Sequence, residues 1–518
     1  MVRKVENKLN GKQSEKLKIL MVTAETRPFA QVGGQGAAVA HLAKALRILG
    51  HDARIFMPKF GFINENVYPT KYVYKGLGVP TGHKADYKRR LLCNVKLYNE
   101  YEQTPVYFLE NLEYYEKRAN VYNYSDDHVR WALLGRGVLE YLSKSGLKNK
   151  DAWIPNIIHS HDWHTALTSN FLKMGFKDDP AFANISAVYT IHNLMFQGLS
   201  VSKRDSSELK FDDGKSAVAP FFSERLKYQN FMKRGILYSD VVNTVSPTYS
   251  KEIMTEEYGE GLDRLLSEVR SKVSGILNGI DYTEFNPKTD KLIKANYDYT
   301  SFSKRHINKK ALQKEFGLPI RDDVPLIGFV GRLDSQKGID LILSVLWVLL
   351  KDFDVQFVQV GGGADNYSSK FAELKEAFSK KVGIHTYANF TLPRLVFSGS
   401  DMMLFPSKFE PCGLAQVEAM RYGSIPIVRA VGGLADTVDD FDPETGEGTG
   451  FVFKDYNKYP FFAQIIRALE TYRYRNVWRK LIKNAMTKDF SWEKSAEDYV
   501  SLYKKADVFR GEGNSTVV

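Results

Sequence analysis

Residues 405–438, FPSKFEPCGLAQVEAMRYGSIPIVRAVGGLADTV, constrain the fold more than any other stretch of the chain. They read as loop, short helix, buried strand, glycine loop and second helix. The apolar run Ile425–Val428 is bounded by Gly423 on one side and by Gly432 and Gly433 on the other. A short apolar run without polar alternation suits a parallel strand covered on both faces. The backbone N–H groups after the two glycines are then expected to be free for an anion, which the helix dipole favours. Open α/β sheets bind ligands beyond the carboxyl ends of their strands, so this stretch reads as half of a nucleotide-sugar site. Its carboxylates sit near the loops: Glu410 precedes the helix, and Glu418 is expected about two turns inside it.

The same strand–loop–helix rhythm runs along most of the chain. The first strand, KILMVTA from Lys18, leads into a loop with Gly33, Gly34 and Gly36, then an amphipathic helix that Gly50 ends as a C-cap. Gly34-x-Gly36 lacks the third glycine of a dinucleotide fingerprint. Further strands are predicted at DARIFMP, TPVYFLE, NIIHSHD, SAVYTIHN and DVVNTVS, with helical segments between most of them. A second series follows at PLIGFVGR, VQFVQVGGG, GIHTYAN, DMMLFPS and IPIVRA. Strands alternating with helices predict parallel sheets with helices on both faces. The fold class expected is therefore α/β, with two Rossmann-like doubly wound domains in series and a cleft between them. The expected divisions are a disordered tail at 1–16, an N-terminal domain at 17–277, a turn-rich linker at 278–288, a C-terminal domain at 289–486, and a final amphipathic helix at 487–508.

Composition excludes several classes. A chain of 518 residues exceeds one core. The net charge is +11, and six Lys/Arg against two Glu in residues 1–18 supply part of it. The remaining basic residues are spread among acidic ones, so no nucleic-acid partner is expected. The longest apolar run, near Leu341–Leu350, is too short to span a bilayer. No membrane partner and no signal peptide are expected. The two cysteines, Cys93 and Cys412, give no disulfide framework, which points to the cytoplasm.

Polar residues at predicted strand ends are the candidates for chemistry. Arg332 and Lys337 follow a strand in FVGRLDSQKG, where an Arg fork and a Lys point charge suit a diphosphate; the alternative is a pair of solvated loop cations. His192 and Asp162 each close a strand, with His159, His161 and His164 flanking Asp162. No third ligand at a usual spacing accompanies His161 and His164, so no metal site is expected. Glu410 and Glu418 suit sugar or ribose hydroxyls. Cys412 reads as a packed thiol, since no His or Asp adjoins it locally.

Taken together, the motifs HDWHTAL, TIHNLMFQG, TVSPTYSKEI, LNGIDYTEFNP, GRLDSQKG, FEPCGL, GGLADTV and the closing DFSW resemble the bacterial and plant glycogen/starch synthase family. They stand in the family's order from about Lys18 to Ala506. The resemblance implies a GT-B fold and a retaining, metal-independent transfer without a cofactor. Glucose would pass from a nucleoside diphosphate glucose, ADP-glucose or UDP-glucose, to the non-reducing 4-hydroxyl of an α-1,4-glucan. It further implies that Arg332 and Lys337 bind the diphosphate, Glu410 holds the glucose hydroxyls, and His192 faces the transferred sugar. Asp162 would contact donor or acceptor hydroxyls nearby. Asn278, Cys412, Gly413, Leu414, Gly432 and Gly433 would line the donor site, and Gly33 and Gly34 would let the donor come close. Glu418 would meet ribose.

Two positions depart from the family pattern. Where the family usually carries Lys-x-Gly-Gly, this chain has Gln31-Val32-Gly33-Gly34, so the effect of that cation is lost or supplied by another. Glu410 and Glu418 form Glu-x7-Glu, the pattern of the broader retaining transferases, which leaves the donor base open between adenine and uracil. A retaining transferase acting on a small or lipid acceptor, and a glucan-binding relative of reduced activity, are the alternative functions. The oligomeric state is open.

Overall fold

The computed structural model describes residues 16–85, 89–146, 153–199, 212–387, 389 and 391–513. The tail expected at 1–16 lies outside them, save for its last residue. The chain packs into two units: unit 1 is Met1–Thr244, Gly259–Ser274 and Ser495–Val518, and unit 2 is Val245–Tyr258 and Gly275–Lys494. The turn-rich segment 278–288 lies inside unit 2, where Ile280 N donates to Phe490 O at 2.8 Å.

In unit 1 the strands are β1 (Lys18–Val22), β2 (Asp52–Pro58), β3 (Lys71–Pro80), β4 (Arg90–Tyr98), β5 (Val106–Glu110), β6 (Ile157–His161), β7 (Ser186–Ile191), β8 (Val241–Thr244) and β9 (Val273–Gly275), the last ending at the unit boundary. They form one sheet in the order β3-β4-β5-β2-β1-β6-β7-β8-β9. From β5 to β8 every pairing is parallel, and β5, β6 and β7 are buried along their whole length. The antiparallel edge β3–β4 was not expected from the sequence. Its strand KYVYKGLGVP mixes lysine and tyrosine with glycine and is exposed over its first half, as an edge allows. Helix α1 (Gly34–Ile48) buries Ala38, Val39, Leu42, Ala43 and Leu46, a single apolar stripe, and Gly50 follows it with φ +91°. Helices α2 (Asp127–Gly146), α3 (Leu167–Gly175) and α4 (Phe231–Tyr238) also belong to this unit.

Unit 2 opens with α5 (Pro247–Glu252), capped by Ser246, whose hydroxyl accepts from Tyr249 N. Its strands are β10 (Leu326–Val330), β11 (Gln356–Val360), β12 (Val382–His385), β13 (Met402–Phe405), β14 (Ile425–Arg429) and β15 (Phe451–Phe453). They run wholly parallel in the order β12-β11-β10-β13-β14-β15. Helix α6 (Ile339–Asp352) buries Ile339, Ile342, Val345, Leu346, Leu349 and Leu350 in the core of this unit. Helices α7 (Ala415–Arg421) and α8 (Gly432–Thr437) flank β14 in sequence. The last helix, α9 (Trp492–Gly513), counts with unit 1 from Ser495 onward. There Tyr503 Oη lies 3.0 Å from His159 Nδ1, and Asn243 Nδ2 donates to Tyr499 Oη. No helix of the described residues is long and apolar enough to cross a membrane.

Each sheet has a central point at which the strand order turns back. In unit 1 the order turns between β1 and β6; in unit 2 it turns between β10 and β13. At such a switch point the loops after the two strands diverge and leave a crevice. Nearly all the residues singled out from the sequence follow one of these four strands or a direct neighbour.

Candidate active site

In unit 2 the loop after β10 carries Arg332 and Lys337. Asp334 Oδ1 accepts from Lys337 N at 3.1 Å and closes a single 3-10 turn that aims the lysine. The loop after β13 carries Glu410, whose Oε2 lies 2.5 Å from Lys337 Nζ and 3.1 Å from Ser407 Oγ. Lys408 N donates to Gln336 O at 2.7 Å, so the two strand-end loops are laced together. Arg332 is the more open cation: its side chain is 69% exposed and meets Asp334 at 3.2 Å and Gln336 at 3.0 Å.

The glycine loop after β14 corrects an expectation. The N–H groups of Gly432 and Gly433 are not free: Gly432 N donates to both carboxylate oxygens of Glu252, and Gly433 N donates to Glu410 O. These glycines serve close packing of chain on chain. A Cβ at Gly432 would stand 1.9 Å from Glu410 O, and one at Gly433 would stand 1.7 Å from Cys412 O. The pair therefore seats the Glu410–Leu414 loop. Cys412 is buried and its thiol is pushed up to about 12 by desolvation, which makes it a packing group. Gly413 O accepts from Gln416 Nε2 at 2.7 Å, and Leu414 is the residue before α7. Glu418 is half-buried in the first turn of α7, not two turns in, because the helix begins only at Ala415. Asn278 is buried in the same unit, and its Oδ1 lacks a hydrogen-bond partner among the described residues. A buried acceptor left unpaired is costly unless a ligand or water meets it.

In unit 1 the ends of β6 and β7 join. Asp162 Oδ1 accepts from His192 N at 2.7 Å and from Asn193 N at 3.3 Å, and His161 Nδ1 lies 3.1 Å from His192 Nε2. Asp162 holds φ 55° and ψ −179°, a region nearly confined to glycine. Such strain costs about 1–3 kcal/mol and collects at functional sites. Burial raises the Asp162 carboxyl to about 7, against the pull of the two backbone donors. Burial also lowers His192 to about 4, so its imidazole is neutral at neutral pH. His159 is a satisfied core residue between Tyr503 and Thr190, while the His164 ring packs against those of Tyr122, Trp131 and Trp163.

The loop after β1 joins the same place. Gln35 Nε2 donates to His161 O at 3.4 Å and to Thr23 Oγ1 at 3.2 Å. Beneath the loop lies Glu25, which the sequence reading passed over; its carboxylate accepts from Val32 N and Gly33 N. A carboxylate just past a buried strand was the available signal, the same one that marked Asp162. Gln31 and Gly34 are exposed, and a Cβ on Gly34 would find nothing within 4 Å. The sequence reading also missed a cavity of about 730 Å³ within unit 1, lined by Tyr124, Trp163, Phe196, Gln197, Asn230 and Glu260 among others.

The starch synthase catalytic domain matches residues 18–268, and the glycosyl transferases group 1 domain matches residues 311–488. The glycogen synthase of Bacillus anthracis is 40% identical over 491 residues, covering 94% of this chain and 99% of its own. That of Desulforamulus reducens is 40% identical over 496 residues, covering 96% and 100%. The chain belongs to the glycogen/starch synthase family. As a glycogen/starch synthase it is a glycosyltransferase, and its two α/β units are those of the GT-B fold. The catalytic domain of starch synthase IV from Arabidopsis thaliana, solved bound to ADP and acarbose, superposes with a TM-score of 0.81 at 31% identity, covering 95% of this chain and 100% of that one. Sucrose-phosphate synthase from Thermosynechococcus elongatus shares the fold, with a TM-score of 0.56 at 19% identity over 95% and 99% of the two chains.

Proposed function

We propose that this glycogen/starch synthase transfers glucose, with retention, from ADP-glucose to the non-reducing 4-hydroxyl of an α-1,4-glucan. The observation that carries the donor side is the Lys337–Glu410 pair at the switch point of unit 2. Arg332 and Lys337 bind the diphosphate. As the bond from C1 to the phosphate oxygen breaks, they take up the charge that collects on the leaving ADP. Stabilising charge where it develops is commonly the largest catalytic term. The cations carry this role because His192, lowered to about 4, brings no charge at neutral pH. Glu410 holds glucose hydroxyls, and Glu418 takes ribose. Asn278 Oδ1, lacking a partner in the described residues, accepts from a ligand hydroxyl. The Cys412–Leu414 segment and the Gly432–Gly433 turn shape the wall of the donor site.

On the acceptor side, His192 and Asp162 face the transferred sugar, the first through its carbonyl and ring. The cavity with Trp163, Phe196, Gln197 and Asn230 offers ring faces beside amides, the pairing that a glucan's alternating apolar faces and hydroxyls require. The new bond forms between C1 and the acceptor oxygen, whose proton leaves with the diphosphate. The preference for ADP-glucose is supported by the ADP bound in the similar plant enzyme. Cytoplasmic location belongs to the same proposal, supported by the two unpaired cysteines.

The test is transfer of labelled glucose from ADP-glucose and UDP-glucose onto glycogen and onto small acceptors. Incorporation into glycogen, faster from ADP-glucose, is expected. Transfer confined to small acceptors would reject the proposal.

A further inference from the structure

The strands β6 and β7 end in two histidines that meet ring to ring, with His161 Nδ1 lying 3.1 Å from His192 Nε2. Burial lowers both rings, His192 to about 4 and His161 well below its ordinary value, so both are neutral at neutral pH. A neutral imidazole carries one N–H. One ring therefore donates across the contact and the other accepts.

The far side of His161 decides which. Its Nε2 is buried and has no hydrogen-bond partner among the described residues. The neighbouring ring, His159, stands with its centroid 4.1 Å away and is already committed to Tyr503 and Thr190. A proton on His161 Nε2 would leave a buried N–H without an acceptor. Orphaned buried N–H groups are rarer in folded proteins than under-satisfied acceptors, and the desolvation of such a donor is lost outright. With the proton on Nδ1 instead, His161 donates to His192 Nε2 and only a lone pair stays bare. The proton of His192 then belongs on its Nδ1, because the bond made by one ring nitrogen sets the state of the other. His192 is only partly buried, and Nδ1 is the ring nitrogen that the contact leaves over.

The pair is held firmly. Thr165 Oγ1 accepts from His161 N at 2.7 Å and lies 2.8 Å from His161 O, while Asp162 Oδ1 accepts from His192 N at 2.7 Å. Residues 161 and 162 thus fix the ring and the backbone of His192 together.

We propose that His161 is a positioning residue, whose Nδ1–H holds His192 in the tautomer that donates from Nδ1 to a hydroxyl of the transferred sugar. This rests on the proposed placing of that sugar against His192. In the opposite tautomer Nδ1 would accept, and the same hydroxyl would have to turn its own proton toward the ring.

The first test reads the tautomers of the full chain, deuterated and carrying nitrogen-15 histidine, by NMR at pH 7.5. Signals are assigned by their loss in His161→Asn and His192→Ala. A proton on Nδ1 of both rings is expected, and a proton on Nε2 of His192 overturns the proposal. This measurement needs no substrate and stands apart from the proposed reaction. The second test is kinetic. His161→Asn keeps an N–H donor at about the place of Nδ1, and His161→Leu removes it. His161→Leu is expected to lower kcat for transfer from ADP-glucose to glycogen by about ten-fold, the scale of one hydrogen bond. His161→Asn should recover most of that loss, a rescue that a merely structural role does not give. Wild-type kcat in His161→Leu, or an asparagine variant no better than the leucine one, overturns the proposal. Should His161→Leu fail to fold, the wild-type tautomers decide it. His192→Ala separates the two layers. If it loses turnover while His161→Leu keeps it, this inference alone fails; if both keep wild-type turnover, the placing of the sugar against His192 fails with it.

Discussion

Lys337 Nζ lies 2.5 Å from Glu410 Oε2, with the carboxylate 10% and the lysine 25% exposed. The pair joins loops from two neighbouring strands, so one bond both sets the site's shape and balances its charge. In the proposed reaction the ammonium is shared with the diphosphate, while Glu410 turns its remaining acceptor capacity to sugar hydroxyls. Glu410→Gln keeps the shape and removes the charge. We expect kcat to fall by roughly 100-fold, the scale on which the loss of one preorganised polar contact at a reacting centre is felt. ADP affinity should hold or rise, because Lys337 is released from its partner. Steady-state kinetics and ADP calorimetry check this split.

Gly433→Ala tests whether the second glycine pair serves packing. The added Cβ would stand 1.7 Å from Cys412 O, a backbone atom that cannot turn aside. The Glu410–Leu414 loop must shift, which should cost at least about 1–3 kcal/mol and most of the activity. A thermal midpoint and an activity both within error of the wild type would show that the loop moves freely.

The histidine cluster of unit 1 sets a pH dependence. Burial holds His159 and His164 at about 3, His192 at about 4, and His161 well below its ordinary value. The unfolded chain takes up these protons as pH falls below about 6.5 and the folded chain does not. Each such group therefore loses stability with falling pH, by about 1.4 kcal/mol per pH unit once fully engaged. Asp162, raised to about 7, acts oppositely: its folded carboxyl keeps a proton that the unfolded one releases, so it gains stability as pH falls from 7 toward 4. Four groups outweigh one. Urea midpoints should fall steadily between pH 7 and pH 4.5, and fall more steeply in Asp162→Asn.

Cys412 offers a chemical control. With its thiol at about 12 and buried, it should resist alkylation at pH 7.5 in the folded protein. Cys412→Ala should retain activity within about three-fold, as expected where only a small buried group is lost. Rapid alkylation with loss of activity would instead give the thiol a chemical role.

Much of this architecture was legible because parallel strands leave a plain mark. Runs such as Ile157–Ile158 and Ile425–Val428 are covered on both faces, so they cannot alternate. The edge strands β3 and β4 were not legible, since an exposed edge tolerates lysine, tyrosine and glycine without a simple period. At the site, strand-end position picked out Arg332, Lys337, Asp162 and His192. It could not show that Gly432 and Gly433 are committed to Glu252 and Glu410, because those bonds tie segments far apart in sequence. Glu25 stayed hidden for a related reason: the donors it holds come from a loop whose course the sequence does not specify.

The most direct test of the account is glucose transfer from ADP-glucose onto glycogen by the wild type and by Lys337→Ala at equal folded concentration, with linkage analysis of the product. The account predicts α-1,4-linked incorporation by the wild type and a loss of roughly 100-fold or more in the variant, in line with removal of a leaving-group cation. Absence of incorporation by the wild type, or equal rates in the two proteins, would contradict it.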